Sequence, residues 1–233
     1  MPEMRRLKGC RLGNITVKRA ALALILLAAL WSAPHAAAQR PLTREQALEA
    51  IQKADDIDAR RLGAAWLGET GQMADVRLLV EALRDDDDAV RQLAEHSLWQ
   101  VWSRSGDPEV DRLFKIGLEQ MAARALEKAI ETFGEVIRKK PEFAEGWNKR
   151  ATLYYVTGEF DKSLADCEEV VRRNPSHFGA LSGFGMNYLR LKQPEKALEH
   201  FRRALRVNPN LEQVKAMVEE LEQLLSQRRQ GTI

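Results

Sequence analysis

The sequence predicts an all-α fold, a solenoid of stacked helix–turn–helix repeats. Three observations lead there. Pro141, Pro175 and Pro209 stand 34 residues apart each time. Aligning on those prolines brings other positions into register: Leu113, Trp147 and Leu181; Gly117, Ala151 and Gly185; Gln120, Tyr154 and Tyr188; Ala129, Ser163 and Ala197; Phe133, Cys167 and Phe201; Val136, Val170 and Ala204. Residues 42–107, finally, read as helix after helix with no alternating strand pattern. Large apolar residues recur where a helix faces its neighbour, and small ones where two helices cross closely. A period this long marks supersecondary units that bury their apolar faces only by stacking. The composition agrees, with 30% charged residues but 6% aromatic ones.

Residues 1–19 carry Arg5, Arg6, Lys8, Arg11, Lys18 and Arg19 against Glu3, and an uncharged run from Ala20 to Trp31 follows. The run is too short for an ordinary membrane span, and Ala36-Ala37-Ala38 offers a small-residue cleavage site. Residues 1–38 are therefore expected to be a secretory signal peptide, leaving Gln39 first; the alternative is an uncleaved membrane anchor. Cys10 precedes the apolar run, which excludes a lipoprotein cysteine. Of 36 basic and 34 acidic residues in the chain, 30 and 33 remain beyond residue 38. The apparent basicity belongs to the leader, and no nucleic-acid surface is expected. Cys167 is then the one cysteine left, so no intrachain disulfide is expected.

In residues 39–107, Thr43 with Gln46 caps a helix running to about Ala54. A second helix presents Leu62, Ala65, Trp66 and Glu69, with Gly68 and Gly71 closing it. Val76, Leu79, Val80 and Leu83 share the face of a third. Asp85 to Asp88 open a fourth that buries Val90, Leu93, Leu98 and Val101. Arg60, Leu62 and Leu67 recur as Arg91, Leu93 and Leu98. This weaker repeat is similar to HEAT-like units, in which an early Arg faces a loop Asp; that resemblance implies Asp58 or Asp87 as partner.

Pro108 follows Asp107 as the first residue of a helix to Met121. That helix is expected both to close the last HEAT-like unit and to open the 34-residue array, making one continuous solenoid. The first hairpin, Ala122-Ala123-Arg124, lacks a turn glycine. The second, at Gly158, has one, and the third is Lys192-Gln193-Pro194. Each second helix stops before Lys-Pro or Asn-Pro, because proline cannot continue a helix. The length and columns over residues 108–209 resemble tetratricopeptide repeats (TPR), here three: about 110–143, 144–177 and 178–211. The resemblance implies a right-handed α-solenoid and a binding scaffold. Residues 210–233 complete it as a capping helix, with Asn210 at its start and Leu211, Val214, Val218, Leu221 and Leu225 on its apolar face.

Catalytic constellations are not legible. His96, His177 and His200 stand in no metal-binding spacing, and Asp85 to Asp88 lack the alternating pattern and glycine of a calcium loop. Cys167 falls in a core column and reads as a small buried filler. No phosphate loop, nucleophile elbow or dinucleotide motif is present, so no cofactor is expected and no enzyme activity. A lyase-like HEAT-repeat enzyme is the least favoured alternative, since residues 42–107 gather no polar cluster.

By the TPR resemblance the inner groove is lined by first helices. Projected onto this chain, it takes Phe114 and Leu118 from the first repeat, Asn148, Thr152 and Tyr155 from the second, and Gly179, Ser182, Gly183, Met186 and Arg190 from the third. Chaperone-binding members hold Lys, Asn and Arg there to clamp a peptide carboxylate. This sequence departs from that pattern, so an apolar or mixed protein or peptide partner is expected. Phe114 and Leu118 alternatively pack against the HEAT-like unit. Gly179 and Gly183 admit either a ligand backbone or a neighbouring side chain. The resemblance and the bacterial-type signal together imply an exported adaptor in a Gram-negative periplasm, with no further membrane contact. A bridging factor with a second partner on the HEAT-like half is the alternative.

Overall fold

Thr43 caps the first helix as the sequence requires. Its hydroxyl accepts from the Gln46 N–H at 3.3 Å while the Gln46 side chain accepts from the Thr43 N–H at 3.0 Å, which satisfies two donors that a helix start leaves open. The computed structural model describes residues 41–53 and 55–231; the expected signal segment, residues 1–38, lies outside them. Among the described residues there are eleven α-helices and no strands. The first four are α1 (Arg44–Ile51), α2 (Ile57–Thr70), α3 (Val76–Ala82) and α4 (Asp88–Trp102). The repeat array follows as α5 (Pro108–Ala122), α6 (Leu126–Lys139), α7 (Ala144–Val156), α8 (Phe160–Arg173), α9 (Phe178–Arg190) and α10 (Pro194–Val207), with α11 (Glu212–Arg229) last.

Within α2 the buried face is Gly63, Ala64, Leu67 and Gly68, one step round from the expected Leu62, Ala65, Trp66 and Glu69. Gly68 does not close the helix. A Cβ there would sit 2.7 Å from Ser97 Oγ, so the glycine lets α4 approach α2. The loop acids hold the arginines of α2: Asp85 takes Arg60 at 2.7 Å and Asp87 takes Arg61 at 2.6 Å. Asp58 reaches Arg61 only at 3.4 Å. Asp87 also caps α4 through the Val90 N–H at 3.0 Å. That double duty holds its carboxyl down at about 2, chiefly through the Arg61 hydrogen bond.

In the array, each helix packs on the next, and α7 also touches α9. All three hairpins end their first helix alike. Residues 125, 159 and 193 donate their N–H to the carbonyls of Gln120, Tyr154 and Tyr188 at 2.8–2.9 Å. The residue before each is left-handed, with φ of 57° at Arg124, 82° at Gly158 and 57° at Lys192. This αL stop is the one glycine suits. Here the 34-residue register places Arg and Lys in it twice, and the missing turn glycine does not disturb the first repeat.

Side-chain size is matched across the columns. A Cβ on Gly117 would lie 2.7 Å from Phe133, and one on Gly185 would lie 2.4 Å from Phe201. The second repeat has Ala151 in place of glycine and Cys167 in place of phenylalanine, and the two share one buried cluster. Cys167 is thus a core filler, and burial pushes its thiol up to about 12.

The expected continuous solenoid is corrected by the packing. The apolar face of α5 (Val110, Phe114) joins Phe133, Val136 and Phe143, in a cluster with no residue of α1–α4. The N-terminal helices instead turn back onto the inter-repeat loops of the second half. Phe178 shares their core, Asn210 Nδ2 donates to the Leu83 carbonyl at 2.7 Å, and Asn208 Nδ2 donates to Glu95 at 2.9 Å. Asn210 therefore does not cap α11; it is a strut between the two halves. On α11 the buried residues are Val214, Val218 and Leu221.

Candidate functional site

Between α7 and α9 the first helices of two repeats diverge and leave a cavity of 250 Å³. Seven of the ten residues expected from the sequence line it: Asn148, Thr152 and Tyr155 from α7, and Gly179, Ser182, Gly183 and Met186 from α9. Their spacing explains the convergence, because positions three or four apart share a helix face. Arg190 stands at the edge, its guanidinium 5.9 Å from the Tyr155 ring and 5.3 Å from Phe160. Phe114 is a correction. It is 4% exposed and packs edge-on against Phe133 and Phe143, so it belongs to the core of the first repeat, neither to a groove nor to α1–α4. Leu118 is 37% exposed on α5 and does not line this cavity.

The two groove glycines separate. A Cβ on Gly179 would meet Trp99 at 2.5 Å, so that glycine admits a side chain from α4. A Cβ on Gly183 would meet only Cys167 Sγ, at an ordinary 3.4 Å. Gly183 is therefore where the groove stays open.

The floor holds residues the sequence reading did not single out. Asn187 Nδ2 donates to Ser163 Oγ at 2.9 Å and to the Gly183 carbonyl at 2.9 Å, and Ser163 Oγ donates to the Ala151 carbonyl at 2.8 Å. Asn187 Oδ1 is buried with no partner among the described residues. A signal existed: the column of Asn187 holds buried Leu153 one repeat earlier, and a polar residue in an apolar column needs a reason.

One wall of the groove is fixed by a buried ionic cluster. His177 caps α9, its Nδ1 accepting from the Ala180 N–H at 3.0 Å. With Nδ1 an acceptor, Nε2 carries the proton and donates to Glu145 Oε2 at 2.8 Å. Lys149 donates to the same carboxylate at 2.7 Å, and Asn148 Nδ2 lies 3.1 Å from it. Burial alone would raise the Glu145 pKa. The donors from His177 and Lys149 outweigh it and hold the group at about 2. Trp102 stacks on His177 at 4.4 Å, which ties α4 to this wall. His177 is thus a structural histidine, and no metal-sized cluster of ligands occurs among the described residues.

The cations that would make a carboxylate clamp are engaged elsewhere. Lys149 is held by Glu145, and Arg150 makes two 2.8 Å bonds to Asp166. That leaves a groove of amides, hydroxyls, a thioether and aromatic edges, suited to a segment of mixed polarity.

Residues 179–211, which span α9 and α10, match the family model described as tetratricopeptide repeat. That stretch carries a tetratricopeptide repeat. The chain is 36% identical over 105 residues to a TPR repeat-containing protein of Rhizobium etli, covering 42% of this chain and 52% of that protein. It is 28% identical over 105 residues to the Hsp70-Hsp90 organizing protein of Triticum aestivum, covering 45% of this chain and 18% of that one. Among solved structures, the Sgt2 TPR domain from Aspergillus fumigatus superposes with a TM-score of 0.51 at 22% identity, covering 55% of this chain and 85% of that domain. That likeness concerns the fold. The chain thus spans about half, or less, of the curated relatives it matches. The matched stretch covers the α9–α10 hairpin, and α5–α6 and α7–α8 stand in the same 34-residue register.

Proposed function

We propose that the chain is a non-enzymatic scaffold that holds a segment of a protein partner in the groove between α7 and α9. The observation that carries this is the convergence of seven groove residues on one cavity beside an unobstructed Gly183. The relatives support a protein-binding role, since one bears the name Hsp70-Hsp90 organizing protein. The engaged Lys149 and Arg150 argue for a different ligand class, an internal or apolar-polar segment in place of a free C-terminus. Export to a Gram-negative periplasm rests on the basic start, apolar run and Ala-x-Ala site of residues 1–38. The HEAT-like character of residues 39–107 rests on the recurring Arg and Leu positions.

For the bridging alternative, the exposed Met73 and Ile57 supply apolar surface on α1–α4 and their connections. Because Phe178 lies in the core of those helices, the two halves are not separable for such a test, and single-residue probes are needed. A photo-crosslinking amino acid at Thr152, within the groove, is expected to capture a discrete partner in the native host. The same probe at exposed Lys128 on α6 is not. Equal capture at both positions would remove the groove reading, and capture at Met73 of a different protein would favour the bridge.

A further inference from the structure

Where α4 meets the loops that precede α7 and α9, a second cavity of 140 Å³ opens, and it shares no lining residue with the groove. Trp102 and Asn174 line it and are 3% and 4% exposed. Each buries a donor with no partner among the described residues, Trp102 Nε1 and Asn174 Nδ2. The orientation of the Asn174 amide is set by its oxygen, which accepts from the Ser176 N–H at 3.2 Å. Buried donors left unpaired are costly, so two on one cavity call for an acceptor.

Charge points the same way. Arg104, Lys140 and Arg173 line the cavity against one acid, Glu142. Arg104 donates to the carbonyls of Gly68 at 2.5 Å and Gly71 at 2.7 Å, neutral acceptors that leave its charge unneutralised. Arg173 is paired with Glu169 and covered by the Trp147 ring at 4.7 Å. Met73, Phe143 and Ala144 complete the lining with apolar surface.

We infer that this seam cavity is a binding site for a carboxylate on a short aliphatic stem. An ionised carboxylate is an acceptor at both oxygens, so it takes the indole and amide donors together. Its charge meets the excess of cations, and charge-assisted bonds of this kind are the stronger ones. The apolar lining accepts the stem, whereas an inorganic oxyanion would place hydrated oxygens against it. The carboxylate comes from an acidic side chain of a polypeptide or from a free short-chain acid.

The test follows the Trp102 indole N–H resonance of the intact, ¹⁵N-labelled protein, assigned with Trp102→Phe. Butyrate, an acetylated and amidated glutamate peptide, butyramide and inorganic phosphate are titrated in turn. A saturable shift with butyrate or the peptide is expected, absent with butyramide and phosphate, and weakened several-fold in Lys140→Gln. Saturation at lower peptide than butyrate concentration assigns the site to a polypeptide, and the reverse order assigns it to a free acid. No saturable response to either carboxylate, or an equal one to butyramide or phosphate, would overturn the inference. Lys140→Gln alters a half-buried side chain at the rim, so a thermal melt matching the parent keeps the comparison interpretable.

Discussion

His177 Nε2 donates to Glu145 Oε2 at 2.8 Å, and both side chains are wholly buried. The pair joins the first helix of the second repeat to the start of the third, and Trp99 and Trp102 of α4 close over it. Glu145 is held at about 2, below its ordinary 4.5. A depressed carboxyl contributes stability that is complete above its unfolded value and lost as pH falls through its folded one. The contribution, on the order of 3 kcal/mol, should therefore disappear between pH 4.5 and about 2. Glu145→Gln is expected to lower stability by that amount at neutral pH and to flatten the acid side of the profile. Urea unfolding across this range checks both, and a variant with the parent's acid slope would show that another group carries it.

The pairing of Gly185 with Phe201 predicts coupling. Gly185→Ala alone should cost about 1–3 kcal/mol by overpacking, and Phe201→Cys alone about 3–5 kcal/mol through the space it leaves. Together they imitate Ala151 and Cys167 of the second repeat. The double variant should then be more stable than the sum by about 1 kcal/mol or more. Strict additivity in denaturant unfolding would refute the idea that the second repeat's substitutions compensate each other.

Arg124 and Lys192 occupy the left-handed position that Gly158 fills in the middle hairpin. A side chain there is strained by roughly 1–2 kcal/mol, partly offset by glycine's greater freedom when unfolded. Arg124→Gly and Lys192→Gly are each expected to raise stability by about 0.5–1 kcal/mol, additively, because separate hairpins hold them. Calorimetry showing a lowered melting temperature for both would mean that their side chains contribute more than the strain costs.

Legibility in the sequence followed the range of the contacts. The columns containing Gly117, Phe133 and their counterparts, with the prolines, were enough to place α5–α11, because each repeat touches its neighbour and the period repeats every contact. The same register brought Asn148, Thr152, Gly179 and Gly183 onto one groove. Phe114 was misplaced because the first repeat has Phe143 packed over that helix, a contact that a column cannot show. The return of α1–α4 onto Phe178 and Asn210 was hidden for another reason. It joins positions such as Leu83 and Asn210 across 127 residues with no period to mark it. Trp99 and Trp102 were the clue, two large aromatics three apart on one helix.

The central claim is that a partner lies against Gly183. Replacing that glycine with leucine fills the groove while its Cβ meets only Cys167 at ordinary contact distance, and it recovers up to about 1 kcal/mol of helix propensity. The decisive measurement is partner capture by the Thr152 photo-crosslinker in Gly183→Leu, beside a thermal melt of the same protein. The account predicts an unchanged or raised melting temperature with capture abolished. Undiminished capture by a fully folded Gly183→Leu protein would contradict it.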